Sequence, residues 1–134
     1  MAFLLDTSVY SQPLKKRPIE AALQRWEKVG DDQCFISSVC RAEIEWGLHY
    51  AGHESLWELY RDLLTDRLEV LEVTTTTWTH FAKMKARQRK IGQIISDLDL
   101  LIAASAAEHG LTIATLNRSD FSRIEGISWE DWNV

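Results

Sequence analysis

The chain has 134 residues, of which 46% are hydrophobic and 26% are charged, and this balance is ordinary for a soluble globular protein. The length allows one α/β domain, residues 1–134, and is too short for two. A net charge of −5 argues against a protein that coats nucleic acid through bulk positive charge. No apolar run approaches the ~20 residues of a membrane helix and the start lacks a signal peptide's basic segment, so we expect a cytoplasmic protein with no membrane partner.

Short apolar runs alternate along the chain with segments of helical periodicity. The runs predict strands at residues 2–5, 35–37, 68–73, 111–115 and 127–129. The periodic segments predict helices at residues 19–29, 39–50, 56–64, 77–90 and 96–109. Because strands alternate with helices and no hairpin is evident, we predict a three-layer α/β/α fold with a mainly parallel central sheet. In such sheets the functional site lies at the carboxyl ends of the strands.

Two acids follow predicted strands. Asp6 comes directly after the first strand, and Asp120 comes a few residues after the strand that ends at Thr115. Structural explanations exist for both segments, because Asp6 can organise a turn and Asn117 can cap a short helical turn. The location at carboxyl strand ends is the functional argument, and the spacing alone does not decide between the two interpretations.

Glu43 lies on the predicted helix 39–50 and shares an apolar stripe with Val39, Trp46 and Tyr50. A carboxylate is costly to bury without compensation, so a metal ion is one explanation for its place on that stripe. The alternative is a half-exposed residue at the edge of the stripe. Glu45 lies two residues further on and faces another direction, together with Arg41, on what we predict to be a solvated face.

Asp97 and Asp99 begin the helix 96–109, which is apolar nearly all round and is therefore predicted to be buried. With Ser96 as N-cap and Asp99 in the place that Glu or Gln usually holds, the segment is also typical of a capping box. The two acids point in different directions, so at most one of them reaches a shared site. Spacing does not decide which one.

Several carboxylates in one pocket repel each other, by ~4 kcal/mol for a pair ~4 Å apart at an effective dielectric of about 20. Such a cluster needs protons or a cation, and Mg²⁺ accepts one or two carboxylates while keeping several waters. The ion polarises a phosphoryl oxygen and lowers the pKa of an attacking water. This is the chemistry of hydrolytic phosphodiester cleavage, and no nucleophile–base pair is evident for another route.

Four segments resemble, in chain order, the motifs of PIN-domain ribonucleases of the VapC and FitB-like branch: residues 4–9, 42–47, 92–104 and 115–121. The third segment is the most specific, although Ile94 stands where many relatives have proline. The resemblance implies a metal-dependent endoribonuclease that is the toxin of a type II toxin–antitoxin pair. It also implies an RNA substrate, a homodimer and a cognate VapB-type antitoxin.

By the same resemblance, the catalytic acids are Asp6, Glu43, Asp99 and Asp120. Asp6 and Asp99 are expected to hold Mg²⁺ or Mn²⁺, while Glu43 and Asp120 position water. Ser8 and Asn117 are expected to support them, and Asn117 is a second match for the fourth acidic position.

Two alternatives remain at this stage. One is a catalytically inactive PIN fold that acts as a binding module, and the other is a phosphotransfer domain with Asp6 as nucleophile. The second is disfavoured because phosphatases of that type need another Asp where Ser8 stands. The basic helical segment 83–90 either guides an RNA backbone or is a solvated helix face.

Overall fold

The computed structural model of the protein describes all 134 residues and contains five strands. These are β1 (Phe3–Leu5), β2 (Cys34–Ser37), β3 (Glu69–Leu71), β4 (Thr112–Thr115) and β5 (Ser128–Asp131). They form one sheet in the order β3-β2-β1-β4-β5, and every neighbouring pair is parallel. The predicted parallel sheet is therefore confirmed.

Seven helices connect the strands: α1 (Thr7–Tyr10), α2 (Glu20–Val29), α3 (Ser38–Ala51), α4 (Glu54–Leu63), α5 (Thr75–Lys90), α6 (Asp97–His109) and α7 (Arg118–Phe121). The five longer helices agree with the predicted ones to within two residues at each end. Helix α1 forms where only a turn was expected, because four residues are too short to show a helical period. None of these helices has both the length and the apolar character needed to cross a bilayer.

The sheet separates two hydrophobic cores. Phe3 and Leu5 of β1 belong to one buried cluster and Leu4 belongs to the other, as the alternation of side chains along a strand requires. The first cluster takes in residues of α2, α3 and α4, and the second takes in residues of α5 and α6. The three-layer α/β/α architecture is confirmed. Cys34 and Cys40 are free thiols buried in the first cluster.

Gly110 ends α6 in the left-handed conformation, with φ 65° and ψ 33°, and its N–H donates to the carbonyl of Ala106. This conformation carries a steric cost for other residues, which explains the glycine at this position. Two residues later the chain enters β4. Because α6 leads into a strand that is parallel to the others, its N-terminus lies at the carboxyl edge of the sheet.

Candidate active site

The carboxyl edge of the sheet gathers the four acids that the sequence singles out. Strand order reverses between β1 and β4, and ligands bind at such a switch point in open α/β sheets. Asp6 directly follows β1, and Asp120 lies on α7 just beyond β4. Asp99 is in the first turn of α6, and Glu43 is on α3, which follows β2.

Asp6 is buried at this edge, with 4% of its surface exposed. Its Oδ1 accepts hydrogen bonds from the Ser8 hydroxyl at 2.6 Å and from the Val9 N–H at 3.1 Å, so that Asp6 caps α1. Its Oδ2 accepts from the Thr115 hydroxyl at 2.5 Å. A carboxylate has about four lone-pair sites, and the three bonds leave one of them, on Oδ2, for a further partner.

Burial raises the pKa of Asp6 from 3.8 to about 6. Hydrogen bonds from Ser8, Thr115 and Val9 oppose this rise, and the negative charge of Asp99 adds to it. A buried carboxylate that is ionised near neutral pH is stabilised by any cation within reach. The environment of Asp6 therefore favours a bound cation over an isolated negative charge.

Ser8 and Thr115 both orient Asp6. The Ser8 hydroxyl, besides donating to Asp6, accepts from the Leu116 N–H at 3.0 Å and so ties α1 to the end of β4. The Thr115 hydroxyl accepts from the Asn117 N–H at 2.7 Å while it donates to Asp6. Thr115 was not predicted as a site residue, because threonine is an ordinary strand residue. Its place at a strand end beside Asn117 was the one available indication.

Glu43 is half-buried and accepts a hydrogen bond of 2.7 Å from the Thr7 hydroxyl. The stripe that it shares on α3 is buried only at Val39, because Trp46 and Tyr50 have 69% and 83% of their surface in solvent. The argument that Glu43 is buried on an apolar stripe is therefore wrong, and the alternative of a half-exposed residue holds. Glu45 pairs with Arg41 at 2.8 Å, as expected for a solvated face.

The side chains of Asp97 and Asp99 point in different directions, as helical geometry predicts. Asp97 is exposed and pairs with Lys85 of α5 at 3.0 Å. The Asp99 N–H is capped by the Ser96 hydroxyl at 3.3 Å, so half of the predicted capping box is present. Burial raises the pKa of the Asp99 carboxyl, the nearby charges of Asp120 and Glu43 add to that rise, and hydrogen bonding by Ser96 opposes it. The Asp99 carboxyl is therefore within electrostatic reach of Asp120 and Glu43.

Asp120 is held on both of its carboxylate oxygens. The Asn117 amide donates to Oδ2 at 2.6 Å, and Arg123 contacts Oδ1 at 3.1 Å. Asn117 stands at the N-cap position of the short helix α7, as suggested, but its side chain makes no capping hydrogen bond. Its amide orients Asp120 instead, and its carbonyl oxygen accepts from the Ser119 hydroxyl at 3.1 Å.

An apolar groove of about 780 Å³ opens beside the acids. Thr7 and Glu43 line one part of it, and the rest is mainly Val39, Trp46, Val73, Trp78, Leu98 and Leu101. Trp78 is 51% exposed and Leu98 is 47% exposed. Trp46 is 69% exposed, so neither of the two tryptophans that line the groove lies in the core.

The donor set suits a hard cation, because every candidate ligand is an oxygen. No three His, Cys, Asp or Glu side chains lie close enough together to hold a metal ion. The four acids therefore do not form a closed cage of protein ligands. Mg²⁺ does not need one, since it binds through one or two carboxylates and keeps several waters. The buried Asp6, with its remaining lone pair, and Asp99 fit that requirement.

Known proteins share this fold and chain length. The profile of the PIN domain matches residues 3–127. The chain is 30% identical over 133 residues to Ribonuclease VapC2 of Haemophilus influenzae, and 30% identical over 132 residues to the tRNA(fMet)-specific endonuclease VapC of Salmonella typhimurium, covering 98% of each chain in both pairs. The crystal structure of DNA-bound VapBC from Salmonella typhimurium matches with a TM-score of 0.87 at 29% identity, again over 98% of each chain. The chain therefore belongs to the PIN-domain family, on the branch of the VapC ribonucleases.

Proposed function

We propose that the protein is a metal-dependent endoribonuclease, the toxin of a toxin–antitoxin pair, that hydrolyses RNA phosphodiester bonds at the carboxyl edge of the sheet. The observation that carries the proposal is the buried Asp6. Burial and the charge of Asp99 raise its pKa, so a bound cation would stabilise its ionised carboxylate. The two VapC relatives are named as a ribonuclease and a tRNA-specific endonuclease, and both are similar to this chain along its length.

Each acid has a proposed role. Asp6 and Asp99 hold Mg²⁺ or Mn²⁺, which when bound polarises a phosphoryl oxygen and makes nearby water more acidic. Glu43 and Asp120 accept hydrogen bonds from water beside the scissile phosphate and orient it for in-line attack. Ser8 fixes the rotamer of Asp6, and Asn117 fixes that of Asp120.

The cations of α5, which helical spacing distributes over more than one side of the helix, are proposed to attract an RNA substrate. Lys85 and Arg87 are engaged with Asp97 and Glu125, whereas three further cations of α5 make no ion pair: Lys83, Arg89 and Lys90. Since the chain carries a net charge of −5, a local positive face is needed to attract a phosphate backbone. The Lys85–Asp97 contact places this helix next to the segment that carries Asp99.

We also propose a homodimer and a VapB-type antitoxin as protein partners. The Salmonella structure is of a DNA-bound VapBC, and family resemblance implies both partners for this chain. Exposed apolar side chains line the groove, and a contiguous apolar patch of this kind marks a protein interface in soluble proteins. We assign the groove face, centred on Trp46 and Trp78, to the second copy of the chain.

The test is cleavage by purified protein with Mg²⁺ of a total tRNA preparation and of an initiator tRNA transcript. Asp99→Asn should lower the cleavage rate at least about a hundredfold, because the outer partners of metal ligands alone cost about 10–100-fold. The matched control is Asp97→Asn, two residues away on the same helix, which should cleave at nearly the wild-type rate.

Melting measurements on metal-free protein complete the test. The Ser96 cap binds the main-chain N–H of Asp99, so Asp99→Asn should keep its stability within about 1 kcal/mol, the scale of a lost cap. A large loss of stability would assign Asp99 a structural role. Equal cleavage by Asp99→Asn and wild type would mean a misplaced site or a contaminating nuclease.

Neither alternative function is favoured. An inactive binding module does not explain why four acids gather at a switch point of the sheet. A phosphotransfer role would require Asp6 itself to reach phosphorus, although it is 4% exposed and both oxygens already accept hydrogen bonds. Absence of cleavage together with no stabilisation by Mn²⁺ would support the binding module.

A further inference from the structure

Arg123 bridges two segments that carry the site acids. Its Nε donates to the Ser119 carbonyl at 2.8 Å, and its Nη2 contacts Asp120 Oδ1 at 3.1 Å. Its Nη1 reaches Gln93 Oε1 at 3.5 Å, in the loop that leads into α6. The guanidinium thus joins the turn that holds Asp120 to the loop that precedes Asp99.

The main chain of Arg123 is itself held in place by a buried side chain of α5. Gln88 of α5 is 1% exposed, and its amide donates to the Arg123 carbonyl at 2.7 Å and to the Gln93 carbonyl at 3.4 Å. Its Oε1 accepts from the Glu125 N–H at 3.1 Å. A buried glutamine that bonds only to the main chain of these two loops holds them in one relative position.

We propose that Arg123 is a positioning residue for RNA cleavage, which fixes the Asp120 carboxylate in place opposite Asp99. This inference rests on the proposed function, because it needs Asp120 as a site acid. Stability does not account for the contact, since the Arg123 and Asp120 side chains are 42% and 33% exposed and surface ion pairs contribute about 0–1 kcal/mol.

Repulsion between the acids explains why such a residue is needed. Arg123 contacts Asp120 and also reaches Gln93 in the loop that precedes Asp99, so the two acids lie on neighbouring segments, where like charges repel each other. Without Arg123, only the Asn117 amide would hold Asp120, through Oδ2. The carboxylate would then be free to rotate away from Asp99. Holding both oxygens leaves a single orientation for the acid.

A double-mutant cycle on the full chain tests this role, with kcat and KM measured on the tRNA preparation. Arg123→Ala should lower kcat about tenfold or more and change KM less than about twofold, because positioning acts on the chemical step. The double variant Arg123→Ala/Asp120→Asn should be no slower than Asp120→Asn, since both substitutions disable the same group. The proposal would be overturned if the reductions in kcat caused by the two substitutions multiplied in the double variant. A raised KM of Arg123→Ala at unchanged kcat would also overturn it, in favour of direct RNA contact.

Two further variants separate positioning from charge. Arg123→Lys should recover part of the loss, because an ammonium pairs with Asp120 but does not bridge to Ser119 and Gln93 at once. Arg61→Ala removes an exposed Arg–Glu pair on α4 with the same change in charge and should leave kcat unchanged. If Arg61→Ala were as slow as Arg123→Ala, net charge would be the cause and the proposal would fail.

Binding and melting measurements give a readout besides activity. Metal-free Arg123→Ala should melt close to wild type, and Mn²⁺ should stabilise both proteins at similar concentrations, because Arg123 contacts Asp120 and neither of the proposed metal ligands Asp6 and Asp99. Full cleavage by Asp120→Asn alongside an inactive Asp99→Asn would overturn the Arg123 proposal and leave the proposed function standing. No cleavage by the wild type would instead overturn the proposed function.

Discussion

The Thr115 hydroxyl donates to Asp6 Oδ2 at 2.5 Å and joins the ends of β4 and β1 across 109 residues of sequence. The same hydroxyl accepts from the Asn117 N–H at 2.7 Å. One side chain therefore sets the orientation of Asp6 and the path of the chain as it leaves β4. The bond exists because β1 and β4 are neighbours in the sheet, in register from Phe3 to Leu5.

Thr115→Val should weaken both the site and the fold. The change leaves the Asn117 N–H without its acceptor and removes one of three hydrogen bonds to the Asp6 carboxylate, at a cost of about 1–3 kcal/mol in unfolding free energy. Cleavage should fall about 10–100-fold. Thr115→Ser keeps the hydroxyl and is the matched control, measured by denaturant unfolding and by tRNA cleavage. Equal effects of the two substitutions would show that the methyl group, and not the hydroxyl, matters.

The raised pKa of Asp6 should make the metal-free protein lose stability as pH rises. The folded state binds the proton up to a pKa of about 6, whereas the unfolded state releases it near 3.8. The unfolding free energy contributed by Asp6 is thus fully present below about pH 4 and lost by about pH 6, a change of up to about 3 kcal/mol.

Asp6→Asn isolates that contribution. Relative to wild type in a chelator, the variant should gain stability between pH 4 and pH 7.5, because its amide does not ionise. The measurement is denaturant unfolding of both proteins at the two pH values. A stability difference that is independent of pH would contradict the assigned shift.

Mn²⁺ should stabilise the wild type and leave the ligand variants unaffected. A ligand that binds only the folded state at a hundred times its Kd adds about 2.7 kcal/mol. For a chain of this size we expect a rise in Tm of roughly 5 °C or more. Asp6→Asn and Asp99→Asn should lose the rise, and Asp97→Asn should keep it. A rise retained by Asp99→Asn would remove this residue from the metal site.

Charges placed on the groove face should break the proposed dimer. Trp46→Arg and Trp78→Arg put a cation on an exposed apolar face that a second copy is expected to cover, where it would be buried without a partner. Light scattering should give the mass of two chains for the wild type and of one chain for the variants. Leu59→Arg on α4 lies outside the groove and should remain dimeric. A monomeric wild type would refute the assignment.

Local sequence determined the elements and the place of the site. The period of apolar residues is a local property, so β1, β4 and the long helices were predicted to within a few residues. The alternation of strands and helices led to the parallel sheet, and the sheet led to its carboxyl edge. The separation of Asp97 from Asp99 also followed from helical geometry, and Lys85 pairs with the one that turns away.

Tertiary structure decided whatever depends on residues far apart in the chain. Thr115 and Arg123 act on acids through contacts that only strand order and loop packing create, and no sequence period reports such contacts. The apolar stripe of α3 left burial and half-exposure of Glu43 both open, because burial depends on whether another element packs there, and Trp46 and Tyr50 are exposed. The physical reason is the same throughout: periodicity records the preference of a side chain for water or core, and the packing of distant elements determines which preferences are met.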